Sequence, residues 1–186
     1  MEIGYFVTGP AGSGGVSSGT MASMAGAMFE PGFARRGGVI VKERSALRQR
    51  EFEVAGARRP GVSLGGSEHF ALVQTYPWLR DIDVYLGWFG SSSRTLSRLS
   101  RTTGTLLTVP PLKQIGSRMA RRFVRGSTGG PDEKLRAQFR TVAVAETFDE
   151  NGHELSRAAV EGLNPYDFTA GLLAWAAERM AEGGVR

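Results

Sequence analysis

A chain of 186 residues with a net charge of +5 has the length of one domain with a full core. It has no cysteine and two histidines, His69 and His153, so neither a disulfide frame nor a His- or thiolate-based metal site is expected. With no apolar run of about 18 residues and no secretory leader pattern, the composition points to a cytoplasmic protein without a membrane span.

In chain order, Met1 to Thr8 reads as a short buried strand. The glycine-rich stretch Gly9 to Ser17 reads as a loop, and Ser18 to Phe29 as a small-residue helix with Met21, Met24 and Met28 at helical spacing. The run Val39-Ile40-Val41 predicts a strand over 38–43. Phe52 and Val54 alternate with Glu51 and Glu53 as on an edge strand. Pro60 to Gly66 reads as a turn-rich loop, and Phe70 to Tyr76 as a short apolar element stopped by Pro77. Ile82 to Phe89 is the clearest inner strand, with Ile82, Val84, Leu86 and Trp88 on one face and Asp83 and Tyr85 on the other.

From Val84 to Pro131 there are eight Arg or Lys residues and no Asp or Glu, so the rest of the chain is mildly acidic. This basic stretch, about 91–130, predicts a helical insert split by Pro110-Pro111. Its second helix carries the stripe Leu112, Ile115, Met119 and Phe123. One such helix suits a lid or a dimer contact better than a polyanion surface, and nucleic acid is not an expected partner. Ala137 to Asp149 predicts a long strand with Val142, Val144, Glu146 and Phe148 on one face. Asp149-Glu150-Asn151-Gly152 is a hairpin turn, and His153 to Glu161 the return strand. Asn164 then caps a closing helix with Pro165 in its first turn, and Phe168, Leu172, Trp175 and Met180 form its expected buried face. Together these elements predict an α+β fold: a mostly antiparallel sheet packed against helices, with the basic helical insert.

Three readings stand for the first glycine loop. As a dinucleotide turn it lacks a glycine at Ser17, the third fingerprint position, although Glu43 ends a following strand where a ribose acceptor would sit. As a tight turn it lets a small-residue helix pack closely on the sheet. As a ligand contact it offers Ser17, Ser18, Thr20 and helix-start N–H groups to an oxygen atom, a role that competes with plain capping. Among groups able to move protons, Glu146 stands on an apolar strand face, where it is either an acid–base group or a structural acid paired with Arg. Asp83 and Tyr85 are polar groups sharing a strand face, and His69 after Glu68 is a further base candidate. Tyr76, Trp78, Trp88 and Tyr166 would line an apolar cleft, with ordinary core packing as the alternative.

Three segments carry a family resemblance: Gly14-Gly15-Val16-Ser17-Ser18-Gly19-Thr20-Met21-Ala22-Ser23, Val142-Ala143-Val144-Ala145-Glu146, and Glu161-Gly162-Leu163-Asn164-Pro165-Tyr166-Asp167-Phe168-Thr169-Ala170. In this order they resemble the second, substrate-side domain of the saccharopine dehydrogenase-like family, in particular its trans-acting enoyl reductase branch. The resemblance implies one C-terminal-type domain over 1–186, without the family's nucleotide-binding Rossmann domain. It implies substrate contacts and a homodimer, with no cofactor bound by this chain itself. The function expected is a redox-inert domain binding an apolar polyketide- or isoprenoid-like molecule, and the enzyme class that fits is a cofactor-independent cyclase or isomerase. The alternatives are the substrate half of a split NADPH-dependent reductase, with a separate Rossmann subunit as partner, and a non-catalytic interaction module. Glu146, Asp83 and Tyr85 are the expected catalytic residues; Ser17, Ser18, Thr20, Tyr76, Trp88 and Tyr166 are the expected substrate contacts.

Overall fold

The computed structural model describes residues 1–10, 19–20, 23, 31–88 and 130–183. Among them, eight strands and three helices form an α+β fold. The strands are β1 (Glu2–Thr8), β2 (Pro31–Arg36), β3 (Val39–Arg44), β4 (Gln49–Val54), β5 (Ala57–Ser63), β6 (Asp83–Leu86), β7 (Arg140–Phe148) and β8 (Glu154–Gly162). The helices are α1 (Glu68–Thr75), α2 (Glu133–Arg136) and α3 (Pro165–Ala181). Six strands form one sheet in the order β4-β5-β6-β1-β7-β8; β2 and β3 form a separate hairpin. Every pair in the large sheet is antiparallel except β1–β6, which is parallel. The expected helical insert falls outside the described residues.

The large sheet curls so that its two edges approach. The Arg157 guanidinium on β8 donates to the Glu53 carbonyl oxygen on β4, 2.6 Å away. The concave face encloses Phe6, Phe52, Val54, Tyr85, Val142 and Val144, all at most 5 % exposed. Phe52 meets both Phe6 and Tyr85 edge-on, each with ring centroids 5.5 Å apart. Register explains the membership: Gly4 lies opposite Tyr85 and Val144, and Phe6 opposite Val142, so these residues share one side of the pleat. Tyr85 is therefore a core residue. The face that Asp83 and Tyr85 share is the packed interior of the curl and not a polar pocket wall.

The convex face is covered by α1 and the β2–β3 hairpin. Phe33 of the hairpin packs on His69 and Phe70 of α1, both at 5.3 Å between centroids. Arg35 bridges to Ile82, which is fully buried. The expected apolar element over 70–76 is helix α1, begun two residues earlier.

Several expectations change at the hairpins. The stretch 60–66 does not form a loop throughout, because β5 continues to Ser63. Pairs alternate between bonded and non-bonded outward from the two-residue turn at Ala55-Gly56, which puts Pro60 in a non-bonded pair opposite Glu51. Pairing of β5 with β6 starts only at Val62, so the missing N–H of Pro60 removes no ladder bond. Strand β2 had no alternation to announce it; it is set by the Gly37-Gly38 turn, both residues at positive φ, and by pairing with β3.

Ala55 and Gly56 have φ of 51° and 73°, the twist of a type I′ turn. A Cβ in this region costs about 1 kcal/mol. Ala55→Asn is therefore expected to raise stability by about 0.5–1 kcal/mol, read as a higher urea midpoint at unchanged slope.

Toward the C-terminus the expected turn and helix cap are in place, and the strand expected from Ala137 starts at Arg140, after the short α2. Asp149 Oδ1 accepts from the backbone N–H groups of Asn151 and His153, and Gly152 takes φ of 84°. Those bonds hold the Asp149 carboxyl below its ordinary range. Asn164 caps α3, its side-chain oxygen accepting from the N–H groups of Tyr166 and Asp167. The expected buried face of α3 is not buried: Phe168, Leu172, Trp175 and Met180 are 50–69 % exposed. Helical spacing puts Phe168, Leu172 and Trp175 on one stripe and Met180 on another side of the helix; among the described residues the stripe touches the sheet only where the Phe168 ring lies by Gly162.

Candidate functional site

Glu146 and Asp83 stand at the same end of the concave face, in one row across three strands. Register places Glu2 beside both: Glu2 faces Asp83 on β6 and Glu146 on β7. Three carboxylates side by side repel, and arginines from three places answer them: Arg50 on β4 across the curl with Arg48 just before that strand, Arg157 on the neighbouring β8, and Arg36 at the end of β2. Arg50 uses one guanidinium nitrogen for Glu2 and another, at 2.6 Å, for Glu146. Arg157 stands 3.4 Å from the second oxygen of Glu146. Arg36 reaches Asp83 at 2.5 Å, and Arg48 bridges Asp83 and Glu43. Burial raises the pKa of the Glu43 carboxyl, and Arg36 partly offsets it. Arg50 also stacks over the rings of Phe52 and Phe148, at 5.3 and 4.8 Å from their centroids.

This is the paired-acid arrangement for Glu146. Four carboxylates and four guanidinium groups lock the open end of the curl. The sequence showed Glu146 on an apolar face; it gave no sign that β4, nearly a hundred residues earlier, supplies the counter-ion.

Glu43, the only acid placed for a ribose, lies in this network. Its strand pairs with β2 in the separate hairpin and makes no ladder with β1. The β1–β3 adjacency that a dinucleotide-binding βαβ opening needs is therefore not formed. Of the glycine loop, residues 11–18 lie outside the described residues, and with them Ser17 and Ser18.

Thr20, Trp88 and Tyr166 come together. They line a cavity of about 400 Å³ with Pro165, Thr169, Ala170 and Leu173. Each wall has a local cause. Trp88 follows β6 on the convex side, because Gly87 before it turns toward the Phe6 ring on the concave side. Tyr166, Thr169, Ala170 and Leu173 are one face of α3, at the i, i+3, i+4, i+7 spacing. The Asn164 cap, 3 % exposed, fixes where that face begins. Thr20 belongs to the helical residues after the glycine loop. The lining is mostly apolar; its polar side-chain groups are the buried Trp88 Nε1–H, which has no hydrogen-bond partner among the described residues, and the hydroxyls of Thr20, Tyr166 and Thr169, the last donating to the Pro165 carbonyl oxygen at 2.6 Å. Tyr76 and Trp78 are elsewhere: they pack on each other at 5.6 Å, just past the end of α1.

Cavity and ion-pair row lie at opposite ends of the sheet. Asp83 and Glu146 are level with Glu2 at the start of β1, whereas Trp88 stands two residues beyond Leu86, which is paired with Tyr5. The site the sequence assembled from both sets is thus two separate places.

Tyr5 and Glu68 form a further pair on the convex side. The Tyr5 hydroxyl donates to Glu68 Oε1 at 2.5 Å. Burial, followed by the Glu68 bond, raises the pKa of the Tyr5 hydroxyl above its ordinary value. Tyr5 and Trp88 share the convex side by strand alternation. No sequence signal announces the pair, since 63 positions separate its members. The cavity face of α3 is a stripe of smaller residues, and the larger apolar residues Phe168, Leu172 and Trp175 on the other side of the helix are the stronger pattern in the sequence.

Among the described residues no cluster of His, Asp and Glu is arranged to hold a metal ion, and no helix is long and apolar enough to cross a membrane. No protein-family model matches this chain, and no curated protein matches it.

Proposed function

We propose that this protein binds an apolar small molecule in the cavity between Trp88 and the first two turns of α3. The observation that carries the reading is convergence. Thr20, Trp88 and Tyr166 come from three distant parts of the chain and line one apolar space of about 400 Å³. That volume falls in the range of pockets for small ligands. The large side chains there supply contact area, and the buried Trp88 Nε1–H, without an acceptor among the described residues, can donate to a carbonyl or hydroxyl on the ligand. A flexible polyketide- or isoprenoid-like chain held in one bent shape is brought closer to cyclisation or isomerisation, because the ordering entropy is met on binding. The resemblance to a reductase's substrate-side domain implies the same role.

The test is binding of the fluorescent apolar probe 1-anilinonaphthalene-8-sulfonate and of farnesol, followed by fluorescence and by melting temperature. Both are expected to bind and to raise the melting temperature with concentration. Ala170→Trp fills the cavity from a helix position that is exposed, so the fold is expected to persist while affinity falls about tenfold or more. Unchanged binding by a folded Ala170→Trp variant would remove the cavity as the site.

A further inference from the structure

The aromatic pair that the cavity does not use stands at the far end of the molecule. Trp78, at 71 % exposure, is the barest of the large apolar side chains among the described residues, and Tyr76 beside it is exposed as well. Two bonds tie their loop to the tip of the β2–β3 hairpin. The Gly38 N–H donates to the Arg80 carbonyl oxygen at 2.8 Å, and the Gly37 N–H to Asp81 Oδ1 at 3.0 Å. That tip stands clear of the fold, since a Cβ at Gly37 or Gly38 would meet nothing within 4 Å. Next to it Val39 and Ile40 are also exposed.

Pairing sorts the side chains of the hairpin. Phe33 lies opposite Lys42 and Arg35 opposite Ile40, so these four share one face. The Phe33 ring against Phe70 marks it as the face on the side of α1. The other face carries Arg36 and Glu43, which belong to the ion-pair row. The α1-side face is thus apolar and basic, and its four positions hold no carboxylate. Arg35, Lys42 and Arg80 make no ion pair among the described residues, whereas Arg36, Arg48, Arg50 and Arg157 are each matched by an acid. The acid closest in sequence to Arg80, Asp81, is turned onto the Gly37 N–H.

Bare aromatic rings beside unmatched cations suit an anionic phospholipid surface. Tryptophan and tyrosine settle where hydrocarbon meets headgroup, because each ring has an apolar body and a hydrogen-bonding tip. Cations near the surface add attraction to anionic headgroups, and firm peripheral binding takes both signals together. The aliphatic members favour lipid over nucleic acid, because Val39 and Ile40 offer no ring on which a base could stack. We propose that this protein docks on anionic membranes through the β2–β3 tip and the loop after α1, with Trp78 entering the headgroup layer. The surface is separate from the cavity: the hairpin bridges to Ile82 at the start of β6, and the cavity begins at Trp88 beyond its end.

Co-sedimentation of the full chain with vesicles of about 70 % phosphatidylcholine and 30 % phosphatidylserine measures it, with pure phosphatidylcholine as the reference. Binding is expected on the mixed vesicles and is expected to weaken as salt rises from about 0.1 to 0.5 M. Residues 84–131 are also basic, so the variants decide which part of the chain binds. Trp78→Ala, at an exposed position, is expected to lower the partition about tenfold. Arg35→Glu combined with Lys42→Glu is expected to lower it about tenfold or more. Brominated phosphatidylcholine in the mixed vesicles is expected to quench the tryptophan emission of the wild type. Trp78→Phe should lose most of that quenching while still sedimenting, with Trp88 and Trp175 left as fluorophores. Absence of partition onto the mixed vesicles overturns the proposal. So does partition that the folded Trp78→Ala variant and the folded double charge reversal leave unchanged, because the basic stretch would then be what binds. Trp78-dependent binding to a single-stranded oligonucleotide that is tighter than to vesicles overturns it too, and assigns the face to nucleic acid.

Discussion

Gly87→Ala is expected to cost about 2 kcal/mol of stability, although it adds a single methyl to a residue outside any helix or strand. The cause is Phe6. Its ring is fully buried in the middle of the curl, and a Cβ at Gly87 would overlap it. Gly4 stands on the other side, where a Cβ would lie 2.5 Å from the same ring and 3.2 Å from Phe52. The ring therefore occupies a slot with backbone on both flanks, and neither flank can retreat without breaking β1–β6 pairing. Removing the ring tests the slot from inside. Phe6→Ala deletes the contact with Phe52 and leaves a void, at about 3–5 kcal/mol. The distinguishing measurement is the combination. Gly87→Ala in a Phe6→Leu background should cost much less than in the wild type, because the smaller side chain yields to the methyl. Urea unfolding followed by circular dichroism reads Gly87→Ala, Phe6→Ala, Phe6→Leu and the combination of Gly87→Ala with Phe6→Leu. Simple additivity would show that Gly87 is needed for some reason other than room for Phe6.

Breaking the ion-pair row is the second large effect expected. Arg50→Ala leaves Glu2 and Glu146 facing each other across β1 and β7 with their shared partner gone. Glu146 has a side chain 7 % exposed, whereas Arg50 is 30 % exposed. Loss of a buried partner costs about 3–5 kcal/mol, and solvent at Arg50 brings the expectation here to about 2–3 kcal/mol. The sign of the pH dependence separates this from lost packing on Phe52 and Phe148. In the variant, two adjacent carboxylates favour holding one proton between them, so a folded-state carboxyl pKa rises above its unfolded value. The folded variant then binds more protons than its unfolded chain, and its deficit relative to the wild type shrinks as pH falls through about 5 to 4. Glu146→Gln should show the opposite economy: a smaller loss at neutral pH, with no acid recovery, since Arg50 retains Glu2 and Arg157 retains the Glu53 carbonyl. A deficit for Arg50→Ala that stays constant from pH 7 to 4 would mean that stacking, not charge, is what Arg50 supplies.

The same row explains why the expected catalytic set did not assemble around the cavity. A carboxylate on an apolar strand face is compatible with an activated acid and with a satisfied ion pair. The difference lies in what the facing wall supplies, and that wall comes from β4 through the curl of the sheet. Tyr85 is a similar case: alternation put it opposite Val84 correctly, but which side of β6 is interior depends on where β4 ends up.

Local chemistry carried a good deal on its own. Alternation marked β4, β6 and β7 and the inward residues Val142, Val144 and Glu146, because a strand's side-chain period is fixed by its backbone. Asn151-Gly152 placed the β7–β8 turn and Asn164-Pro165 the start of α3, because positive φ and capping are properties of a few neighbouring atoms. Those same local rules gave Thr20, Trp88 and Tyr166 as contact residues without saying that they meet. Only the tertiary structure decided that they do, that the acids at the far end are matched by arginines, and that the α3 stripe faces outward. Each of these depends on how strands distant in sequence are ordered and how far the sheet curls, and no residue records that in its immediate neighbours.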